Sequence, residues 1–198
     1  MAIIIDKEKK RRDIALSCTG LLLDKGFKNL RISEIATTAG VGKGTIYDYY
    51  NNKEEIVFEI IRNLIEEHQR DLSVRFRDKM SCKEKVFQLF DFYLCEYKEY
   101  DKHLIVYKEY MSVALSVDAD EMHEFNRECS VFLRRILKDI IVEAIDKGEI
   151  IKESIDLIDG LMSAERGFML KNWAENINCK QEFKKYINVL FQLIEIKK

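Results

Sequence analysis

The chain has 198 residues, 47% of them apolar and 34% charged, with no proline and 8 glycines. So few helix breakers and turn formers exclude a turn-rich β-architecture and point to an all-α protein with a sizeable core. The net charge of −2 excludes a uniformly basic, polyelectrolyte-like binder of nucleic acid.

The charge is unevenly spread, however. Residues 1–53 hold ten Lys or Arg and six Asp or Glu, a surplus of +4, which leaves −6 on the remaining 145 residues. A basic head on an acidic body is the asymmetry expected when one end of a chain meets phosphate. Ile3, Ile4 and Ile5 are followed by lysines and arginines, the reverse of a secretory signal. No apolar run approaches the ~18 residues needed to span a bilayer. The expectation is a soluble, cytoplasmic protein that needs no cofactor. Five cysteines, at 18, 82, 95, 129 and 179, are odd in number and widely spaced. They read as buried thiols rather than a disulfide framework or metal site.

In chain order, the first helix is predicted from about Asp6 to Lys25, on Ile14, Ala15, Cys18, Leu21 and Leu22 at helical spacing. Gly26 is placed to cap it, with Phe27 folding back. A short helix over Ile32 to Ala39 ends at Gly40, and a third runs from Lys43 to about Tyr50. Asn52 is placed to cap a long fourth helix through about Lys79, with Glu54 and Glu55 in its first turn. Amphipathic helices follow over 82–99, 101–116, 119–147, 153–175 and 180–196. No flexible linker or repeat interrupts them. The head, 1–53, is therefore expected to join the body, 54–198, through the fourth helix.

The segment from Ile32 to Tyr49 carries the sharpest signal. Two helices crossing steeply need a small residue at their closest approach, and Ala36 supplies it. The turn needs a residue tolerant of positive φ, and Gly40 sits four positions on. Val41 and Ile46 then pin the second helix inward against Ile32 and Ile35. This is a helix-turn-helix pattern, although an ordinary helical hairpin shares part of it. Gly40 to Thr45 also looks like a fragment of a phosphate loop. Lys43 is followed by Gly44 and residue 37 is Thr, so the G-x-x-x-x-G-K-[ST] spacing fails.

Gly26-Phe27, Ile32, Ile35-Ala36, Ala39-Gly40-Val41, Gly44-Thr45-Ile46-Tyr47, Tyr49-Tyr50 and Lys53-Glu54 together resemble, in register, the head of the tetracycline-repressor-like (TetR) family of bacterial regulators. The resemblance covers residues 10–60. It implies an N-terminal three-helix DNA-binding domain and a helical body for effector binding and dimerisation. DNA contacts are expected from Arg31, Ser33, Lys43, Gly44, Thr45, Tyr47, Asp48, Tyr49 and Lys53. Lys43 suits phosphate or guanine, Gly44 lets backbones approach, and Thr45 offers a hydroxyl and a methyl. The resemblance makes Lys53 a phosphate anchor. Two departures stand out. Leu30-Arg31 replaces the usual hydroxyl pair, which removes a cap, and Asp48 is an acid where phosphates gather.

In the body, Gly160, Ala164 and Gly167 strip one helical face of bulk. Phe183, Tyr186, Ile187, Leu190, Phe191 and Ile194 form an apolar face on the last helix. The resemblance makes these two helices the homodimer interface, although both faces can also bury within one chain. Phe90, Tyr93, Tyr107, Met111, Phe125, Phe132, Met162, Arg166 and Met169 are the expected effector-binding residues, with Tyr97 and Met122 nearby in sequence; plain core packing is the competing reading. Glu165 and Arg166 serve either a pocket or a cross-subunit pair. The family mechanism is an effector that binds between the middle helices, shifts the fourth helix and releases a palindromic operator. A DNA-binding repressor without effector and a nucleotide-binding enzyme are the alternatives.

Overall fold

The computed structural model describes residues 6–76, 79–95, 98–116 and 120–196; Tyr97 and the side chain of Met122 lie outside them. Among the described residues the chain forms eleven α-helices. They are α1 (Lys7–Ser17), α2 (Thr19–Asn29), α3 (Ile32–Thr38), α4 (Lys43–Tyr47), α5 (Lys53–Arg75), α6 (Cys82–Leu89), α7 (Asp91–Leu94), α8 (Lys98–Ala114), α9 (Asp120–Asp146), α10 (Ile158–Glu175) and α11 (Lys180–Ile194). A 3₁₀ segment over Lys152–Leu157 leads into α10. The nearest approach to a strand is an isolated bridge between Ile150 and Glu195. The all-α class holds, and no described helix is long and apolar enough to cross a membrane.

Several helix limits differ from the sequence pattern, each for a local reason. The single first helix expected to Lys25 is broken at Cys18 (φ −91°, ψ −2°). There the Ser17 hydroxyl donates to the Ile14 carbonyl at 2.7 Å, a side-chain bond that competes with the helical ladder. The helix expected over 82–99 bends at Phe90 (φ −91°, ψ 11°) into α6 and α7. The bend lays the Phe90 ring edge-on against Phe183, with centroids 5.4 Å apart. The recognition helix, expected to reach Tyr50, ends at Tyr47. Asp48 and Tyr49 donate instead to carbonyls three residues back, at 3.2 and 3.1 Å, a 3₁₀ tightening of the last turn.

The chain divides into two compact units. One comprises residues 1–68 and 101–123, the other 69–100 and 124–198. The first holds α1–α4, the head end of α5 and most of α8 around Ile14, Leu22, Ile35, Ile46 and Tyr50. The second is built around α11, whose Phe183, Ile187 and Phe191 are fully buried. Each such side chain contributes on the order of 2 kcal/mol by leaving water. Buried Lys85 pairs with Glu143 at 2.6 Å, and buried Lys180 donates to the Cys95 carbonyl at 2.7 Å.

Candidate nucleic-acid interface

The turn between α3 and α4 is closed by two backbone bonds. The Val41 N–H donates to the Ala36 carbonyl at 2.9 Å and the Gly40 N–H to Thr37 at 3.1 Å. This is a Schellman closure with Gly40 at φ +66°, a conformation that disfavours any residue with a Cβ. Ala36 is buried at the closest approach and Ile46 is sealed beneath α4. The helix-turn-helix geometry therefore follows from the small and apolar residues that the pattern marked.

At the start of α3, Arg31 occupies the cap position in an extended conformation with no side-chain cap bond, as the missing hydroxyl requires. Glu34 in the first turn accepts from the Lys25 ammonium at 2.5 Å, and that bond holds its carboxyl below the usual range. Asn52 caps α5, accepting from the Glu55 N–H at 2.9 Å. Asn51 donates from both its amide nitrogen and its side chain to Glu55, at 3.1 and 2.7 Å.

The expected DNA contacts fall into two groups. Arg31, Ser33, Lys43, Gly44, Tyr47 and Asp48 are exposed, with Tyr47 at 53%. They gather at the starts of α3 and α4 and the end of α4. Thr45 and Tyr49 are half-buried, and the Tyr49 carbonyl accepts from Arg11 Nη1 at 3.2 Å. Lys53 is also half-buried. Its ammonium lies 4.4 Å from the centroid of the Phe27 ring and reaches the carbonyls of Phe27, Lys28 and Leu30 at 3.2, 3.5 and 3.4 Å. Lys53 thus ties α5 to the end of α2.

Arg11 is a head residue that the motif reading missed. Besides Tyr49, it pairs with Glu59 at 3.3 Å, so α1 grips both the end of α4 and the start of α5. Its partners lie 38 and 48 residues away, so no local pattern marks it.

The structure divides the expected effector residues between the two units. Tyr107 and Met111 are half-buried on α8 in the first unit, where Tyr107 stacks on Tyr110 at 5.9 Å. Phe90, Tyr93, Phe125, Met162 and Met169 are buried in the second. Phe132 is half-buried there, with the Arg135 guanidinium 5.7 Å from its ring centroid. Arg166 is exposed and donates to Ser130 Oγ at 2.5 Å. Glu165 is half-buried on α10, and burial pushes its carboxyl up to about 7 against the lowering effect of Arg166. The buried Tyr93 hydroxyl has no hydrogen-bond partner among the described residues. Burial raises the Cys18 thiol and pushes the Cys82 thiol up to about 12, which makes both poor nucleophiles.

Residues 19–60 match the family described as bacterial regulatory proteins, tetR family. The fatty acid metabolism regulator protein of Bacillus subtilis (strain 168) is 27% identical over 158 residues, covering 76% of this chain and 75% of that protein. The HTH-type transcriptional regulator HbdR of Aromatoleum sp. (strain CIB) is 29% identical over 65 residues, 33% of this chain and 28% of its own. Among solved structures, a TetR transcription regulator from Haloarcula marismortui superposes with a TM-score of 0.79 at 17% identity, covering 96% of this chain and 100% of that one. A transcriptional regulator from Saccharomonospora viridis, solved in complex with choline, gives 0.78 at 15% identity, with 96% and 100% covered. These structures share the fold over nearly the whole chain, and the family match falls on the helix-turn-helix head. The head of the chain, residues 19–60, thus matches the tetR family of bacterial regulatory proteins, and the chain as a whole shares the fold of solved regulators described as TetR.

Proposed function

We propose that this protein is a homodimeric repressor that reads a palindromic operator and releases it on binding a small, largely hydrophobic effector. Residues 1–53 supply the DNA contacts and 54–198 the effector site and the dimer interface. The observation that carries this reading is the exposed ridge of Arg31, Ser33, Lys43, Gly44 and Tyr47. It is presented by helices whose opposite faces are locked by Ile35, Ile46 and Tyr50. Lys43 and Gly44 open α4, the end of a recognition helix that enters the major groove. Lys53, held by carbonyls, contributes by fixing the head more than by touching phosphate.

Dimerisation is supported by apolar surface on the last two helices. Leu170 is 58% exposed and Leu193 73%, with Tyr186 and Val189 exposed beside them in sequence. Among the described residues, a Cβ added at Gly160 or Gly167 meets nothing within 4 Å beyond its chain neighbours and its own helix backbone, so that stripe of α10 is open to a close partner. The effector reading is supported by the buried aromatic and methionine residues of the second unit and by a relative named for fatty acid metabolism.

The test is to select duplexes from a random pool with the purified chain. Their affinity and their transcription in vitro are then measured with and without a series of fatty acids of increasing length, with Trp173 fluorescence as a binding signal. Selected duplexes that are released by one length class, with transcription restored, are the expected result. Failure to select any duplex sinks the DNA reading. Duplex binding that no compound in the series weakens favours a repressor without such an effector.

A further inference from the structure

Glu109 stands on α8, 82 residues from the turn that leads into the helix-turn-helix, yet the two meet within the first unit. Its carboxylate accepts a hydrogen bond from the Phe27 N–H at 2.6 Å, a short bond in keeping with a charged acceptor. Gly26, one residue earlier, has φ +69°, and a Cβ built there would stand 3.3 Å from Glu109 Oε2. The turn is thus shaped to receive this carboxylate: a side chain at residue 26 would be strained by the backbone and pressed against the oxygen.

Phe27 carries the contact onward. Its carbonyl and its ring both engage the Lys53 ammonium. Lys53 opens α5 and also holds the Lys28 and Leu30 carbonyls, which immediately precede α3. The residue after Glu109, Tyr110, packs edge-on against Phe58 of α5 with ring centroids 5.6 Å apart. Helix α8 is therefore held at two points, the Phe27 amide of the head and the Phe58 ring of α5.

We propose that Glu109 is the positioning residue through which α8 sets the pose of the DNA-binding head, by pinning the Gly26 kink within α2 at the Phe27 amide. Phe27 and Lys53 pass that position to α3 and the start of α5. Any displacement of α8 then reaches the recognition helix through a side chain outside the expected DNA and effector sets.

The experiment compares Glu109→Ala and Glu109→Gln with the parent chain in two measurements. One is hydrogen exchange at the Phe27 amide in the free protein. The other is affinity for a duplex selected from a random pool by the parent. The Ala variant is expected to speed Phe27 exchange about tenfold and weaken the duplex about tenfold, the scale of one charged hydrogen bond. The Gln variant, which keeps an oxygen but loses the charge, falls between. Unchanged Phe27 exchange in both variants overturns the contact. Faster exchange with affinity within twofold of the parent overturns the positioning role and leaves a structural bond. If the Ala variant does not fold, the Gln variant decides by the same criteria. A parent chain that selects no duplex is a failure of the DNA reading, distinguishable because Phe27 exchange is read without DNA.

Discussion

Arg11 and Tyr50 hold each other reciprocally. The Tyr50 hydroxyl donates to the Arg11 carbonyl at 2.6 Å, and the Arg11 guanidinium lies 4.7 Å from the centroid of the Tyr50 ring. Tyr50 is 1% exposed, so its hydroxyl is satisfied by backbone where water cannot reach. Tyr50→Phe keeps the ring and deletes the bond. It is expected to lower unfolding free energy by about 1 kcal/mol, read by urea melts, with Tyr50→Ala costing about 3 kcal/mol or more. Equal costs for the two would show that the hydroxyl contributes nothing.

Lys43 and Lys53 separate DNA contact from head assembly. Lys43 is exposed at the start of α4, and Lys53 is half-buried on three carbonyls. Lys43→Ala should leave the melting temperature unchanged and reduce the salt slope of duplex binding by about one, the signature of one lost phosphate contact. Lys53→Ala should lower the melting temperature as well as the affinity. The reverse assignment, with Lys53 changing only the salt slope, would return Lys53 to the role of phosphate anchor.

Glu165 makes stability depend on pH. Burial pushes its carboxyl up to about 7 from an ordinary value of 4.5. Between those values the native state holds a proton that the unfolded chain has released. Its contribution to stability is therefore intact below pH 4.5, declines as pH rises through 7, and is level beyond. Glu165→Gln removes that decline. The variant should exceed the parent by about 1–3 kcal/mol at pH 8 and match it near pH 4.5. A gain that is the same at both pH values would assign the effect to packing rather than to ionisation.

Leu193 tests the proposed interface. It is 73% exposed on α11, so Leu193→Asp places a charge on surface that costs nothing in a free monomer and is unfavourable in an apolar interface. Sedimentation should show the parent as a dimer and the variant shifted toward monomer, with helical content unchanged. Loss of dimer should also weaken binding to a two-half-site duplex far more than to a single half-site. A variant that remains dimeric places the interface elsewhere.

Much of this protein is legible in its sequence because the relevant physics is local. The Gly40 turn depends on a backbone conformation that only a few residues adopt, and the Ala36 and Val41 partners lie within five residues. Asn52 caps α5 by reaching three residues ahead. Such contacts repeat wherever the same spacing occurs, so the head, its register and its likeness to the tetR family can be read in a line of residues. The all-α class follows likewise from the absence of proline and the helical spacing of apolar residues.

Tertiary structure decided what depends on residues that meet across long separations. Ser17's bond to Ile14 is local, but the burial of Cys18 beside it is decided by packing. The grouping of most of α8 with the head, the division of the expected effector residues between two units, and the grips of Arg11 and Lys53 all rest on pairs at least 23 residues apart. Glu109 meets Phe27 across 82 residues. No periodicity encodes such a pair, because its geometry is set by how whole helices pack, and one carboxylate in a helix looks like any other until the chain has folded around it.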